Sequence, residues 1–183
     1  MPAPPGSGDP GDGQHPAPPG PGDPGDGEHP APLRLHSCEI PEEWIDYNGH
    51  VTEFRYLQVS ADATDALLAY LGMDADYLQA GGSYYTVETH ICHLGQLYAG
   101  DRVEAITQVL GWDEKRLHVY NVIVREGEDQ PVATGEHMLL HVDSAAGRAS
   151  PVRDGVRDRV AAVAQTHATL PRPPRAGRRI SLQ

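Results

Sequence analysis

One long helical period followed by four strand periods in a row is the pattern that most limits what this chain can fold into. Phe54, Leu57, Ala61, Thr64, Leu68 and Leu71 fall at 3, 4, 3, 4, 3 spacing, which predicts an amphipathic helix with a mostly apolar stripe along one side. Gly72 supplies its stop, and the piece from Asp74 to Ala80 predicts one further turn before Gly81-Gly82 breaks the chain. The run SYYTVETHICHL then alternates Tyr85, Val87, Thr89 and Ile91 against Tyr84, Thr86, Glu88 and His90. DRVEAITQVLGW, RLHVYNVIV and PVATGEHMLLHVD follow, joined by short turns, and the four predict one antiparallel meander. LRLHSCEI, residues 33–40, predicts a strand ahead of the helix. Ser150 and Pro151 make an N-cap and N1 pair for a closing helix striped by Val152, Val156, Val160 and Val163.

A single striped helix beside about five antiparallel strands must be wrapped by a curved sheet to bury its stripe, an α+β layout. That is the layout of the hotdog fold, whose domains generally pair as dimers with ligand at the seam, so a homodimer or a dimer of dimers is expected. The predicted domain spans residues 33–168. Ahead of it, PAPPGSGDPGDGQH recurs almost unchanged as PAPPGPGDPGDGEH. This repeat has no Phe, Tyr or Trp, no β-branched residue and no Lys or Arg, so residues 1–32 are expected to be a disordered, extended tail. Behind it, residues 169–183 carry PRPPRAGRR and are expected to form a short basic tail whose arginines are solvated.

The net charge of −12 argues against nucleic acid or an anionic membrane surface as partner, because both require a basic footprint. Two cysteines, Cys38 and Cys92, are too few for a disulfide framework. No apolar run approaches the roughly 18 residues of a membrane span, and a cytoplasmic location is expected.

The window EEWIDYNGHVTEFRYLQ, residues 42–58, places an acid just before a turn and a helix. Asp46-Tyr47-Asn48-Gly49-His50-Val51, leading to Tyr56, resembles the acyl-CoA thioesterase branch of the hotdog superfamily, the 4-hydroxybenzoyl-CoA thioesterase-like group. The longer phrases EWIDYNGHVTEFRYLQ, DATDALLAYLG, AGGSYYTVETHICHL, TQVLGWDEKRLH and HMLLHVDSAAGRA are similar to the betainyl-CoA thioesterases of bacterial carnitine breakdown, sometimes fused to L-carnitine dehydrogenase. The resemblance covers roughly residues 33–145 and implies cleavage of betainyl-CoA to glycine betaine and CoA. The chain has no Gly-rich dinucleotide fingerprint, and neither cofactor nor metal is expected.

The chemistry of the window has its own physical account. A thioester has a good leaving group, so what remains to be supplied is a carboxylate to activate water or attack the carbonyl, and donors for the developing oxyanion. Asp46 is the candidate carboxylate. Gly49, His50 and Val51 are expected to offer the uncommitted amides of a helix start, with Asn48 orienting water or acyl group; a turn or capping role is the plainer reading of each, and Glu53 is the reserve acid. A quaternary ammonium accepts and donates no hydrogen bond and is best held on aromatic faces. Trp44, Tyr47, Tyr56, Tyr84 and Tyr85 are the candidate cage, with Glu88 as counter-charge, although core packing is the commoner fate of strand aromatics. Lys115, Arg116 and Arg125 are the candidates for the phosphates of CoA.

Three other readings compete. A hotdog hydratase also uses an Asp and a His, but Asp46 and His50 stand closer than that pattern requires. A metal site from His90, His93, His137 and His141 is weak, because His90 and His93 are three apart on a strand and point to opposite faces. A non-catalytic acyl-CoA-binding module, or a thioesterase for a different short or aromatic acyl group, stays open.

Overall fold

A computed structural model describes residues 29–182; the tandem repeat lies almost wholly outside them. The strands are β1 (Leu33–Glu39), β2 (Gly82–His93), β3 (Arg102–Trp112), β4 (Arg116–Arg125), β5 (Pro131–Asp143) and a short β6 (Arg148–Ala149). The helices are α1 (Glu53–Tyr70), α2 (Ala75–Gln79) and α3 (Asp154–His167), with a 3-10 turn at Glu42–Trp44. The sheet is antiparallel with strand order β1-β3-β4-β5-β2, and β6 adds to β5. It wraps α1, the hotdog layout the order of periods predicts. β6 was not foreseen, because two residues are too few to carry a period.

The helix buries a different side from the one its apolar residues mark. Tyr56, Val59, Ser60, Ala63, Thr64, Leu67 and Tyr70 face the sheet, while Phe54 is 56% and Leu57 40% exposed. Of the predicted stripe, Thr64 and Leu71 are buried and Leu68 packs at the margin of the core. The reason is polar. Asn121 on β4, fully buried, donates from Nδ2 to the Ser60 carbonyl (3.0 Å), Ser60 Oγ (3.1 Å) and Thr64 Oγ1 (3.0 Å), and accepts from Thr107 (2.8 Å). Leaving such groups buried and unpaired costs more than solvating one Phe and one Leu, so the hydroxyl-bearing side turns inward.

Two apolar clusters flank this polar seam. One gathers Leu67, Leu71, Tyr84, Leu117, Leu139 and the stripe Val152, Val156, Val160 and Val163. The other gathers Ile40, Val51, Tyr56, Val59, Leu97 and Ile123, with Trp44 and Ile45 at its margin. The valine stripe of α3 is buried as predicted, but the helix starts at Asp154 with Arg153 at the N-cap, because Ser150 is drawn back by its amide onto the His141 carbonyl (3.0 Å).

Three departures from the sequence reading matter for the site. β2 has a register shift between Thr86 and Glu88, a bulge that breaks the strict alternation. After it Thr89 lies opposite His137 and Glu88 opposite Met138. His29 and Pro30, inside the expected tail, touch the folded domain: His29 Nδ1 lies 2.7 Å from the Tyr70 hydroxyl, and His167 Nε2 donates to the Pro30 carbonyl (3.2 Å). The C-terminal segment lies on the sheet, where Gly177 N donates to both oxygens of Glu136 (2.8 and 3.0 Å).

Candidate active site

Asp46 opens a tight loop closed by backbone bonds. Its amide donates to the His50 carbonyl (2.8 Å) and its carbonyl accepts from Gly49 (3.0 Å), while Ile45 and Val51 form an antiparallel bridge. Gly49 takes φ +78°, a left-handed turn that any side chain would strain. The Asp46 carboxylate accepts from the Asn48 amide (2.7 Å), so the turn holds one carboxylate oxygen in place.

The expectation that Gly49 and Val51 offer free amides needs correcting. Gly49 N is committed to the Asp46 carbonyl and Val51 N to the Leu97 carbonyl (2.9 Å), because the helix begins at Glu53, two residues later than the motif suggests. The His50 amide has no partner among the described residues. Thr52 stands at the N-cap, yet its hydroxyl donates to the Trp44 carbonyl (3.1 Å) and leaves the helix without a side-chain cap. The Glu53 and Phe54 amides, which have no acceptor inside a helix, therefore join His50 as donors at the positive end of α1. The sequence signal for them was present in a threonine N-cap, but the turning-away of its hydroxyl is a tertiary contact.

The loop that follows β2 backs this turn. Tyr56 donates to the Gly95 carbonyl (3.2 Å) and accepts from the Leu97 amide (3.1 Å). Burial raises its phenol above the ordinary range. The His50 ring meets Tyr98 edge-on at 5.2 Å, and His93 meets Tyr56 at 5.1 Å. Tyr98 was not singled out from sequence and His93 only for a weak metal reading, since only the fold brings the end of β2 beside residue 50.

The candidate cage is dispersed within the chain. Tyr47 beside Asp46 is 96% exposed. Trp44 has the Arg55 guanidinium 5.0 Å over its ring, and Phe54 takes the same cation at 4.7 Å. Tyr56 and Tyr84 are core residues, Tyr84 in the far cluster and edge-on to His141 at 5.1 Å. Tyr85 is exposed on β2, opposite Leu140. Glu88 is corrected in place: the bulge puts it with His118, Glu136 and Met138 around a cavity on the outer face of the sheet, away from α1.

The basic residues divide by strand length. Arg125 ends β4 beside the site, paired with Asp101 (3.0 Å) and donating to the Gln96 carbonyl. Arg116 begins β4, paired with Asp113 (2.6 Å), and Lys115 shares that hairpin. At ~3.3 Å per residue the two ends lie roughly 30 Å apart, so one binding subsite in the chain does not take all three.

His137 and His141 are engaged by hydroxyls. His137 has Ser60 Oγ at 2.7 Å and Thr89 Oγ1 at 3.0 Å, and burial lowers its pKa to about 4. His141 donates from Nδ1 to the Ser150 carbonyl (3.0 Å) and accepts from Tyr77 (2.8 Å). No cluster of three metal-ligating side chains forms among the described residues.

An acid held by a tight turn at an uncapped helix start, within a sheet that wraps that helix, is the setting in which the sequence matches acquire meaning. The Thioesterase-like superfamily matches residues 40–160. The chain belongs to that family. It is 42% identical over 151 residues to a betainyl-CoA thioesterase of Pseudomonas aeruginosa, covering 82% of this chain and 95% of that one. It is 59% identical over 116 residues to an L-carnitine dehydrogenase/betainyl-CoA thioesterase of Agrobacterium fabrum, which is 63% of this chain but 24% of the relative. The chain thus spans about a quarter of that two-function relative. Among solved structures, a Pseudomonas putida KT2440 protein described as a candidate thioesterase superposes with TM-score 0.73 at 34% identity, covering 85% of this chain and 99% of that one. A Staphylococcus aureus protein in complex with CoA superposes with TM-score 0.77 at 19% identity, covering 86% of this chain and all of that one, and speaks for the fold.

Proposed function

We propose that this chain is a thioester hydrolase that cleaves a small acyl-CoA, betainyl-CoA foremost, to glycine betaine and CoA. The observation that carries the reading is the Asp46 carboxylate fixed beside the uncapped start of α1, in a chain 42% identical across 82% of its length to a betainyl-CoA thioesterase. Asp46 takes a proton from water as the water oxygen attacks the thioester carbonyl. The amides of His50, Glu53 and Phe54 stabilise the oxyanion, the C–S bond breaks, and the proton passes to the leaving thiolate. Direct attack by Asp46, through an anhydride that water then opens, balances equally well. Asn48 holds the carboxylate, and Gly49 and Val51 shape the turn rather than donate.

The cationic acyl head needs aromatic faces. Tyr47 and Tyr98 lie nearest the loop with surface free. β2 is an unpaired edge of 12 residues carrying exposed Tyr85 and Val87, and pairing of two such edges would extend the sheet into a homodimer. Such pairing would bring Tyr85 to a seam, completing a cage that one chain leaves dispersed. Arg125 is the remaining contact for CoA from the sequence reading at this end of the fold. No helix is long and apolar enough to cross a membrane among the described residues, and a cytoplasmic setting fits the substrate.

The test is thiol release from betainyl-CoA beside acetyl-, butyryl- and benzoyl-CoA, with Asp46→Asn in parallel. Selective release, reduced roughly 10²-fold or more in the variant, supports substrate and mechanism together. Release from the neutral thioesters alone keeps the class and removes the cationic pocket. No release from any of them moves the chain to an acyl-CoA-binding module.

A further inference from the structure

The sheet leaves one groove that the reaction above does not use. β1 begins at Leu33, opposite Thr107, so from Gln108 onward this edge of β3 has no strand beside it. α3 lies there instead. Its valines Val156, Val160 and Val163 are buried, and the neighbouring stripe along the helix, Ala161, Ala164 and Ala168, lines an open groove of about 540 Å³. Alanines leave the space that longer side chains would fill. Leu110 and Trp112 of β3 line the same groove, and Trp112 is 38% exposed, so an indole face is on offer there.

The amino-terminal part of the chain is fastened at this groove. His167, one of the lining residues, accepts the Val109 amide at Nδ1 (2.8 Å) and donates from Nε2 to the Pro30 carbonyl (3.2 Å). His29 Nδ1 lies 2.7 Å from the Tyr70 hydroxyl. Residues 1–28 lie outside the described structure, and those nearest the anchor belong to the second copy of the tandem repeat, PAPPGPGDPGDGEH, residues 16–29. That copy carries Asp23, Asp26 and Glu28 and no Lys or Arg. The described residues that line the groove include Arg172 and no carboxylate. The two charges are complementary.

We propose that this groove docks the second repeat of its own chain, with Pro18, Pro19 and Pro21 against Trp112 and the repeat's acids toward Arg172. Proline-rich segments suit aromatic-lined grooves because the polyproline helix is already extended and gives up little entropy on binding. The reach is sufficient. Along β3, Val109 at His167 and Trp112 are ~10 Å apart, and the run from Pro18 to Pro30 spans up to ~37 Å in polyproline form. Holding Pro30 at His167 also makes the docking intramolecular. A short tether gives an effective concentration in the millimolar range, so an intrinsic Kd of about 0.1 mM fills the groove about ten to one.

The tandem repeat supplies its own control, because Asp12 and Asp26 sit in nearly identical surroundings, GDPGDGQ and GDPGDGE. The experiment is digestion of the full chain by an endoproteinase that cuts before aspartate, with both cleavages followed by mass spectrometry. In wild type the bond before Asp26 is expected to be cut roughly tenfold more slowly than the bond before Asp12. Trp112→Ala and, separately, Pro18→Ala/Pro19→Ala/Pro21→Ala are expected to bring the two rates together; the proline variant leaves the sequence of the folded domain unchanged. Equal rates in wild type overturn the proposal. So does a bias that survives either variant, since nearness to the fold would then account for it. A bias that fades on dilution seats a neighbouring copy's repeat in the groove and overturns it too. None of these readings needs turnover, so they stand apart from the thioesterase assay.

Discussion

Protonation of His137 offers the sharpest test of the polar seam that sets the rotation of α1. His137 is 3% exposed, with Ser60 Oγ and Thr89 Oγ1 on its two ring nitrogens. A neutral imidazole meets both by donating once and accepting once; an imidazolium would have to donate twice, inside a space closed by Gly135 and Asn121. Burial is the main cause that lowers its pKa from 6.5 to about 4, with nearby Glu136 opposing. The unfolded chain therefore takes up a proton near pH 6.5 that the folded chain refuses until about pH 4. Stability from this group is fully present above the unfolded pKa and falls as the pH drops through that window. Between about pH 7.5 and about pH 5 the loss works out at ~2 kcal/mol. His36, His141 and His167 are also lowered by burial and act in the same direction, so wild type alone would not isolate His137. The assay is urea unfolding of wild type and His137→Gln at both pH values. Wild type should lose ~2 kcal/mol more than the variant on acidification. A difference between the two proteins that stays flat from neutral to acid pH would refute the reasoning.

Gly135→Ala is expected to cost ~1–3 kcal/mol by overpacking, since its new methyl would collide with Ser60 Oγ and sit 2.9 Å from His137 Nε2; chemical denaturation measures it, and an unchanged midpoint would mean that α1 yields. Tyr56→Phe removes the hydroxyl that ties Gly95 and Leu97 to the helix and should cost ~1–2 kcal/mol, with faster hydrogen exchange at the Leu97 amide as the local readout. Val87→Asp puts a charge at the bulge of the open β2 edge and is expected to abolish edge pairing; sedimentation showing the same assembly as wild type would move the dimer seam elsewhere.

The fold was legible where one face decides a residue's fate. β5 matches its predicted limits, and Val156, Val160 and Val163 of α3 are buried as their spacing requires, because solvent lies on one side and core on the other. The C-terminal segment was misread for a related reason: proline and arginine do not advertise a docking partner, and the Gly177 amide that fastens it to Glu136 belongs to no side chain. Near the candidate site, the turn that carries Asp46, Asn48 and Gly49 could be read because it is local. His93 and Tyr98 could not, since loop closure brings them there.

The helix and the second strand show why apolar spacing alone failed. Reading Phe54, Leu57 and Ala61 as the buried stripe weighs hydrocarbon and omits the demand of a buried amide. Asn121 needs partners, and Ser60 and Thr64, spaced four apart, are placed to give them. A fully satisfied polar network can outweigh two partly exposed apolar side chains, so the helix turned. On β2 a single extra residue at Val87 exchanged the faces of everything beyond it. That exchange placed Thr89 on His137 and sent Glu88 outward to a cavity it shares with Arg178 and Arg179. The carboxylate assigned from alternation to a cationic acyl group thereby belongs to the outer face of the sheet, away from α1.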